Sequence, residues 1–366
     1  MTRTGIVTAT RLNFRSSPNG TIIKQLPKGT SVEIDEDQGE WLKVSVSGET
    51  GFVSAAFIQS QAASPPVESP SAGKPLFNGN SALAPDGTEF AKKYKLGVFN
   101  YGETSINQFI HDHSTNFATV PRSRLRIMQA VSVNEGKLEA INTWDNAFLT
   151  FGIFQWTVGA DSGAGELPAL VDHIKKKDAS LFQRYFGQFG LDTVVTNSQP
   201  SILPTGFFLL NGTTLKSPAQ KEQLRILEWA YRFWLAGRDD TVRQVQVEHA
   251  MERVDLFYRS SRHKIKDRFI ADYITSEYGV ALILDEHVNR PGHVPGTIAK
   301  AVDQLVAQIG IENPEIWTDV EEQRLLDIYI QLRAQTNMTD SIKRAESVRQ
   351  AVAKGLISNR RGSYQT

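Results

Sequence analysis

Between residues 5 and 59, hydrophobic and polar positions alternate in short runs. "TIIKQLPKGTSVEIDED" alternates about a Pro-Lys-Gly turn, and "EWLKVSVSGETGFVSAAFI" gives two β-rich runs about Ser-Gly-Glu-Thr-Gly. A period of two broken by turn residues predicts strands joined by hairpins. Several strands in so short a stretch predict a small all-β barrel, because closure removes unpaired edges. The pattern then lapses. Residues 60–86 are rich in Pro, Ser, Ala and Gly and lack periodicity, which predicts a semi-extended linker.

From residue 87 the period lengthens to that of a helix. In "PRSRLRIMQAVSV", Leu125, Met128 and Val131 (or Ala130) share a face, and Pro121 suits a first turn. "SPAQKEQLRILEWAYRFWLAG" begins with Ser217 as N-cap and Pro218 at the first helical position. Its stripe is Leu224, Leu227, Tyr231 and Trp234, and Gly237 suits the stop. "TDVEEQRLLDIYIQL" offers a Thr318/Glu321 capping box. Further helices are expected over roughly 240–259, 265–288, 297–309 and 340–354. The expected organisation is multidomain. It comprises an all-β unit over 1–59, a linker over 60–86, a mainly α domain with a short β-hairpin over 87–357, and a flexible tail over 358–366 whose arginines are solvated.

Composition narrows the partners. Forty basic residues balance forty acidic ones, so net charge gives no reason to expect nucleic acid. There is no cysteine, which excludes disulfides, thiolate metal sites and cysteine nucleophiles. No run approaches the roughly 18 apolar residues that span a bilayer. The first twenty residues lack the apolar core of a secretory signal. Synthesis in the cytoplasm without a signal peptide and no membrane insertion are therefore the expectations.

The N-terminal run carries a resemblance. "LNFRSSPNGTIIKQLPKGTSVEI" followed by "GEWLKVSVSGETGFVSAAFI" resembles a bacterial SH3 (SH3b) domain, with its LNxRSxP, KG turn, WxKV strand and closing hairpin. Phe52 stands where that family usually has Trp. The resemblance implies binding to cell wall, with Phe14, Arg15, Trp41 and Phe52 as the candidate contacts, although the aromatic residues equally suit a core.

"NEGKLEAINTWDNAFLTFGIFQ", residues 134–155, holds the candidate chemistry. Glu135 is expected at the end of an apolar helix and Asp145 in a polar turn. Over 147–157 a strand-like run would place Phe148, Thr150, Gly152 and Phe154 on one face, with Gly152 leaving room for a ligand. Cleavage of a glycosidic bond needs one protonated carboxyl and one ionised carboxylate in different environments. Glu135, beside apolar elements, suits the acid. Asp145 suits the ionised partner, and Thr150 suits positioning of water.

This stretch resembles the active-site region of the lysozyme superfamily, most closely the phage-type lysozymes. The matching elements are "EGKL", "WD" and "TFGI", with Thr150 fifteen residues after Glu135. The resemblance implies a lysozyme-like glycoside hydrolase cutting β-1,4 bonds of peptidoglycan, with Glu135, Asp145 and Thr150 as catalytic residues and no cofactor. Two departures stand out. The aspartate lies one residue late, and "GIFQ" replaces the phage-type GIGH. "GIFQ" is similar instead to the G-I/L-x-Q of animal lysozymes and lytic transglycosylases, and chitosanases share the Glu, Asp and T-x-G-I set.

Other polar residues are weighed beside these. Gln155 is a candidate substrate contact. Glu139, one turn beyond Glu135, reads as a solvated neighbour or as a partner that raises the pKa of Glu135. Asp161 and Glu166 flank the Gly-rich "GADSGAGELPAL", which lacks the Lys-Ser/Thr of a phosphate loop. Asp161 is a reserve base on a cleft rim, and Glu166 suits a first helical turn. In "LDEHVNRPGHVPG", Asn289, Arg290 and His293 are candidates for an opposite wall. Neither His287 with His293 nor the "HDH" at 111–113 has a recognised zinc spacing, so no metal is expected. The expectation is a peptidoglycan (or related aminosugar polymer) hydrolase targeted by its SH3b module. The alternatives are a chitosanase-like hydrolase, a lytic transglycosylase and a non-catalytic wall binder. Delivery through a holin, as for an endolysin, or through an injection apparatus, as for a secretion effector, would bring it to the wall.

Overall fold

The computed structural model describes residues 3–46, 48–60, 73–197 and 202–365. The chain divides into two compact units, Met1–Pro70 and Ser71–Thr366. In the first, seven strands form one antiparallel sheet: β1 (Arg3–Val7), β2 (Arg11–Arg15), β3 (Ile22–Pro27), β4 (Ser31–Asp37), β5 (Trp41–Val46), β6 (Glu49–Ser54) and β7 (Ile58–Ser60). Their order is β3-β2-β6-β5-β4-β1-β7. Leu26 on one edge strand and Ile58 on the other belong to a single core with Phe14, Val44 and Val53, so the sheet curls over itself. The alternation expected in β5 is realised, with Leu42, Val44 and Val46 turned inward.

The second unit begins with strands, not helices. β8 (Leu76–Asn78), β9 (Ser81–Leu83), β10 (Glu89–Tyr94), β11 (Gly97–Asn100), β12 (Ile141–Asn142), β13 (Thr150–Phe151) and β14 (Trp156–Thr157) pair in sequence as an antiparallel meander. Two helices, α1 (Ile106–Asp112) and α2 (Arg122–Ser132), are inserted between β11 and β12. The expected linker therefore gives up β8 and β9 to this sheet, and its residues 61–72 lie outside the described residues. Three-residue strands survive in a Pro/Ser-rich stretch because their neighbours supply the pairing.

Helices α3 (Leu167–Lys177) and α4 (Ala179–Tyr185) follow, then a second small sheet of β15 (Leu191–Asn197), β16 (Thr205–Leu210) and β17 (Thr213–Thr214). The expected long helix after Ser217 is broken. Ser217 caps a single turn, α5 (Pro218–Lys221), and the stripe resumes in α6 (Leu227–Ala236). The remaining helices are α7 (Asp240–Phe257), α8 (Ile270–Tyr273), α9 (Glu277–Asn289), α10 (Val294–Ile309), α11 (Asp319–Ala334) and α12 (Ser341–Ala353). The Thr318/Glu321 capping box opens α11 as expected. Helix α9 is buried from Glu277 to His287 and is packed by α2, α7, α10 and α12. The tail expected to be loose is docked: Arg361 donates to Tyr273 O (2.8 Å) and Glu322 (2.7 Å), and Tyr364 is buried. Among the described residues no helix is long and apolar enough to cross a membrane.

Candidate functional site

Glu135 lies in the turn that carries the chain from α2 into β12. Two contacts fix this turn. Gly136 N–H donates to Ile153 O (2.9 Å), and Leu138 N–H donates to Thr104 O (3.1 Å). A side chain at Gly136 would press within 3.2 Å of Gly152 O, so the backbones of turn and hairpin meet where only glycine fits comfortably. The hairpin is tighter than simple alternation predicts. β13 and β14 are two residues each, and Gly152 and Gln155 both have positive φ (79° and 50°). Phe148 is also left-handed (φ 62°), so the expected shared face of Phe148, Thr150, Gly152 and Phe154 does not form. Nor does Gly152 leave room for a ligand. A Cβ there would collide with Gln246, whose Oε1 accepts from Ile153 N–H (3.2 Å).

The hairpin and turn form one side of a cleft of about 420 Å³. Gly136, Ala140, Ile141, Asn142, Thr150 and Gln155 line that side, and Tyr94, Phe99, Tyr101 and Trp144 make an aromatic side. Tyr94 meets Trp144 edge-on at 5.0 Å, and Phe99 lies 5.1 Å from Tyr101. Tyr101 is 77% exposed. Lys95 Nζ sits 4.4 Å over the Trp144 ring. An exposed run of aromatic rings beside amide groups offers flat apolar faces and polar edges together, which suits a ligand with both.

Glu135 and Asp145 flank this cleft without lining it. The Glu135 carboxylate is buried and paired with Arg344 of α12. Arg344 also holds Asp285 of α9 (2.8 Å), which in turn pairs with Arg333 of α11 (2.9 Å). Asn134 Nδ2 donates to Asp285 (3.0 Å), and Arg344 donates back to Asn134 O (3.0 Å). Burial raises the Glu135 pKa most, Arg344 opposes it, and Asp285 adds a further raise, which leaves it at about 7. Asp145 is employed as a turn cap. It accepts from Ala147 N–H (2.9 Å) and from Asn142 Nδ2 (2.7 Å), the latter a cleft residue.

Several sequence expectations move. Glu139 is neither solvated nor a partner of Glu135: it is buried, accepts from the Glu103 and Thr104 N–H groups, and pairs with Arg243 (2.7 Å). Glu166 directly precedes α3 and pairs with Arg253 of α7. Asp161 is exposed and does not line the cleft; its loop is tied down by Lys221 Nζ, which donates to Gly159 O (2.8 Å) and Gly163 O (2.6 Å). Asn289, Arg290 and His293 do not form the opposite wall. Asn289 folds back onto Asp285 O (2.9 Å), and His293 lines a separate depression of about 320 Å³ with Lys300 and Gln335. The aromatic residues of the cleft belong instead to the meander: Phe99 stands beside Asn142 across β11 and β12, and Tyr94 is on β10, strands that the helical pattern concealed. Arg344 and Asp285 were missed because the contacts by which Arg344 joins Glu135 to Asp285 are purely tertiary.

In the N-terminal unit, Phe14 is fully buried and so presents no surface to a ligand. Arg15, Trp41 and Phe52 are half-buried on outward positions. Arg15 and Lys43 both stand opposite Phe52, and Trp41 is two residues along the strand from Lys43, so these side chains share one outer face. Residues 10–59 match the family model of the bacterial SH3 domain. No curated protein and no solved structure matches the chain.

Proposed function

We propose that this protein is a cell-wall glycan-cleaving enzyme carrying its own wall-binding module. The observation that carries the reading is Glu135: a buried carboxyl held near neutrality at the edge of an aromatic cleft that contains Thr150 and Gln155. An acid poised near the working pH is suited to protonate a leaving oxygen, and the aromatic side suits the flat faces of sugar rings. Bacterial SH3 domains commonly bind peptidoglycan, which favours that polymer over chitosan. Glu135 is the proposed acid, with Thr150 and Gln155 contacting substrate or water.

One observation favours a lytic transglycosylase over a hydrolase. Both oxygens of Asp145 are engaged in its turn, one by Ala147 N–H and the other by Asn142 Nδ2, so a second carboxylate free to activate water is not in place. A single carboxyl suffices where Glu135 gives its proton to the leaving glycosidic oxygen as the C1–O bond breaks, and the resulting carboxylate then takes the proton of the muramic acid's own 6-hydroxyl as that oxygen bonds to C1. Mass spectrometry of digested sacculi separates the two, since anhydro ends mark transglycosylation and reducing ends mark hydrolysis. Equal inactivity of the wild type and Glu135→Gln on murein and chitosan, with retained binding to sacculi, would leave a wall-binding protein.

Two further outcomes are expected. Trp41→Ala with Phe52→Ala should lower co-sedimentation with sacculi several-fold while leaving cleavage of soluble glycan fragments unchanged. Arg344→Met removes the positive charge that lowers the Glu135 pKa. Activity should fall as pH rises through that pKa, because the acid loses its proton. The alkaline limb of the kcat/KM profile should therefore move upward in this variant, by about a unit.

A further inference from the structure

Away from the cleft, two packed helices bring together three side chains that the proposed chemistry leaves unused. His173 stands on α3, and His249 and Glu252 stand one turn apart on α7. Their ligand atoms all lie within 4.8 Å of one another. Glu252 Oε2 is 3.6 Å from His249 Nδ1 and 4.0 Å from His173 Nδ1. Ligands bound tetrahedrally at about 2.0–2.1 Å stand roughly 3.3–3.4 Å apart, so small side-chain rotations close the set around one ion. Glu252 and His173 have the freedom to make them, being 58% and 27% exposed.

His249 supplies a second observation. Its side chain is only 7% exposed, and its Nδ1 has no hydrogen-bond partner. A buried ring nitrogen without a partner forfeits the hydrogen bond it had in water. It is directed to the same point as the other two donors.

We propose that His173, His249 and Glu252 bind a zinc-class divalent transition ion that staples α3 to α7. Two imidazoles and one carboxylate select zinc, cobalt or nickel over magnesium or calcium, which prefer all-oxygen shells. The fourth position falls to water. Pairing of these positions is invisible in the sequence because His173 and His249 come from different helices. The site is supportive in role: α7 also carries Gln246, which braces the hairpin at Ile153, and Arg253, which holds Glu166 at the start of α3.

The test uses the untagged full-length protein after chelator treatment. Zinc(II) and cobalt(II) are titrated by calorimetry, with cobalt followed by visible absorption; a cysteine-free chain offers no thiolate to compete. One equivalent is expected, with a rise in Tm on zinc addition. His173→Ala should abolish uptake, and Glu252→Gln should weaken it by about tenfold or more. Both variants should match the wild-type Tm in chelator. Changing His111 and His113 to Ala should leave uptake intact. The proposal is overturned if the wild type takes up no stoichiometric ion. It is equally overturned if His173→Ala and Glu252→Gln bind as the wild type does, or if uptake follows His111 and His113 instead. None of these readouts uses a glycan, so the result stands apart from the glycan-cleaving reading.

Discussion

Glu135→Gln is expected to slow turbidity loss of purified sacculi by about a thousandfold, since a positioned general acid contributes roughly 10²–10⁴. The substitution keeps the shape, removes the transferable proton and leaves a side chain that cannot ionise. The same variant is expected to gain stability at alkaline pH. In the folded chain Glu135 has a pKa of about 7, against 4.5 for a glutamate in water. Between those values the folded state holds a proton that the unfolded state has released. Stability therefore falls as pH rises through this window and stays lower above it, by something on the order of 3 kcal/mol. Gln carries no such loss, and Arg344 keeps Asp285 as its partner. The Tm of the variant minus that of the wild type should grow from pH 4.5 to 7 and then level off. A site that trades stability for a poised acid behaves in this way. Activity retained within tenfold, or a Tm difference independent of pH, would remove Glu135 from the acid's role.

How much of this was legible beforehand depends on the range of the interactions. The strands of the SH3 unit follow from local alternation, and the caps at Ser217 and Thr318 follow from side-chain-to-backbone bonds a few residues long. Glu135, Thr150 and Gln155 stood out because they fall within one short stretch. What stayed hidden depends on distant partners. Phe14 and Phe52 are both aromatic strand residues, yet one is core and the other is half-buried on the outer face, a distinction set by register. Helix α9 shows no stripe because it is covered on all sides, and the partners of its acids, Arg333, Arg344 and Tyr329, come from other helices. The basic tail looked free because Glu322, its partner, belongs to α11.

Asp285→Ala is expected to destabilise the C-terminal unit by about 3–5 kcal/mol, the range for breaking a buried ion pair from one side. Asp285 and Arg333 are both fully buried. Without the carboxylate, Arg333 keeps, among the described residues, the carbonyls of Leu282 (3.2 Å) and Ser341 (2.8 Å) for a full positive charge. Against a total of about 5–15 kcal/mol this is a large fraction, readable as a drop in that unit's unfolding transition. Asp285→Asn isolates the electrostatic part, since it keeps an acceptor for the arginines while removing the charge that raises the Glu135 pKa. Its alkaline activity limb should move down, whereas that of Arg344→Met should move up. Opposite shifts from two residues outside the cleft follow only if both act through the same buried carboxyl. Should both limbs move together, or neither move, the limb belongs to another group and these C-terminal helices serve the fold alone.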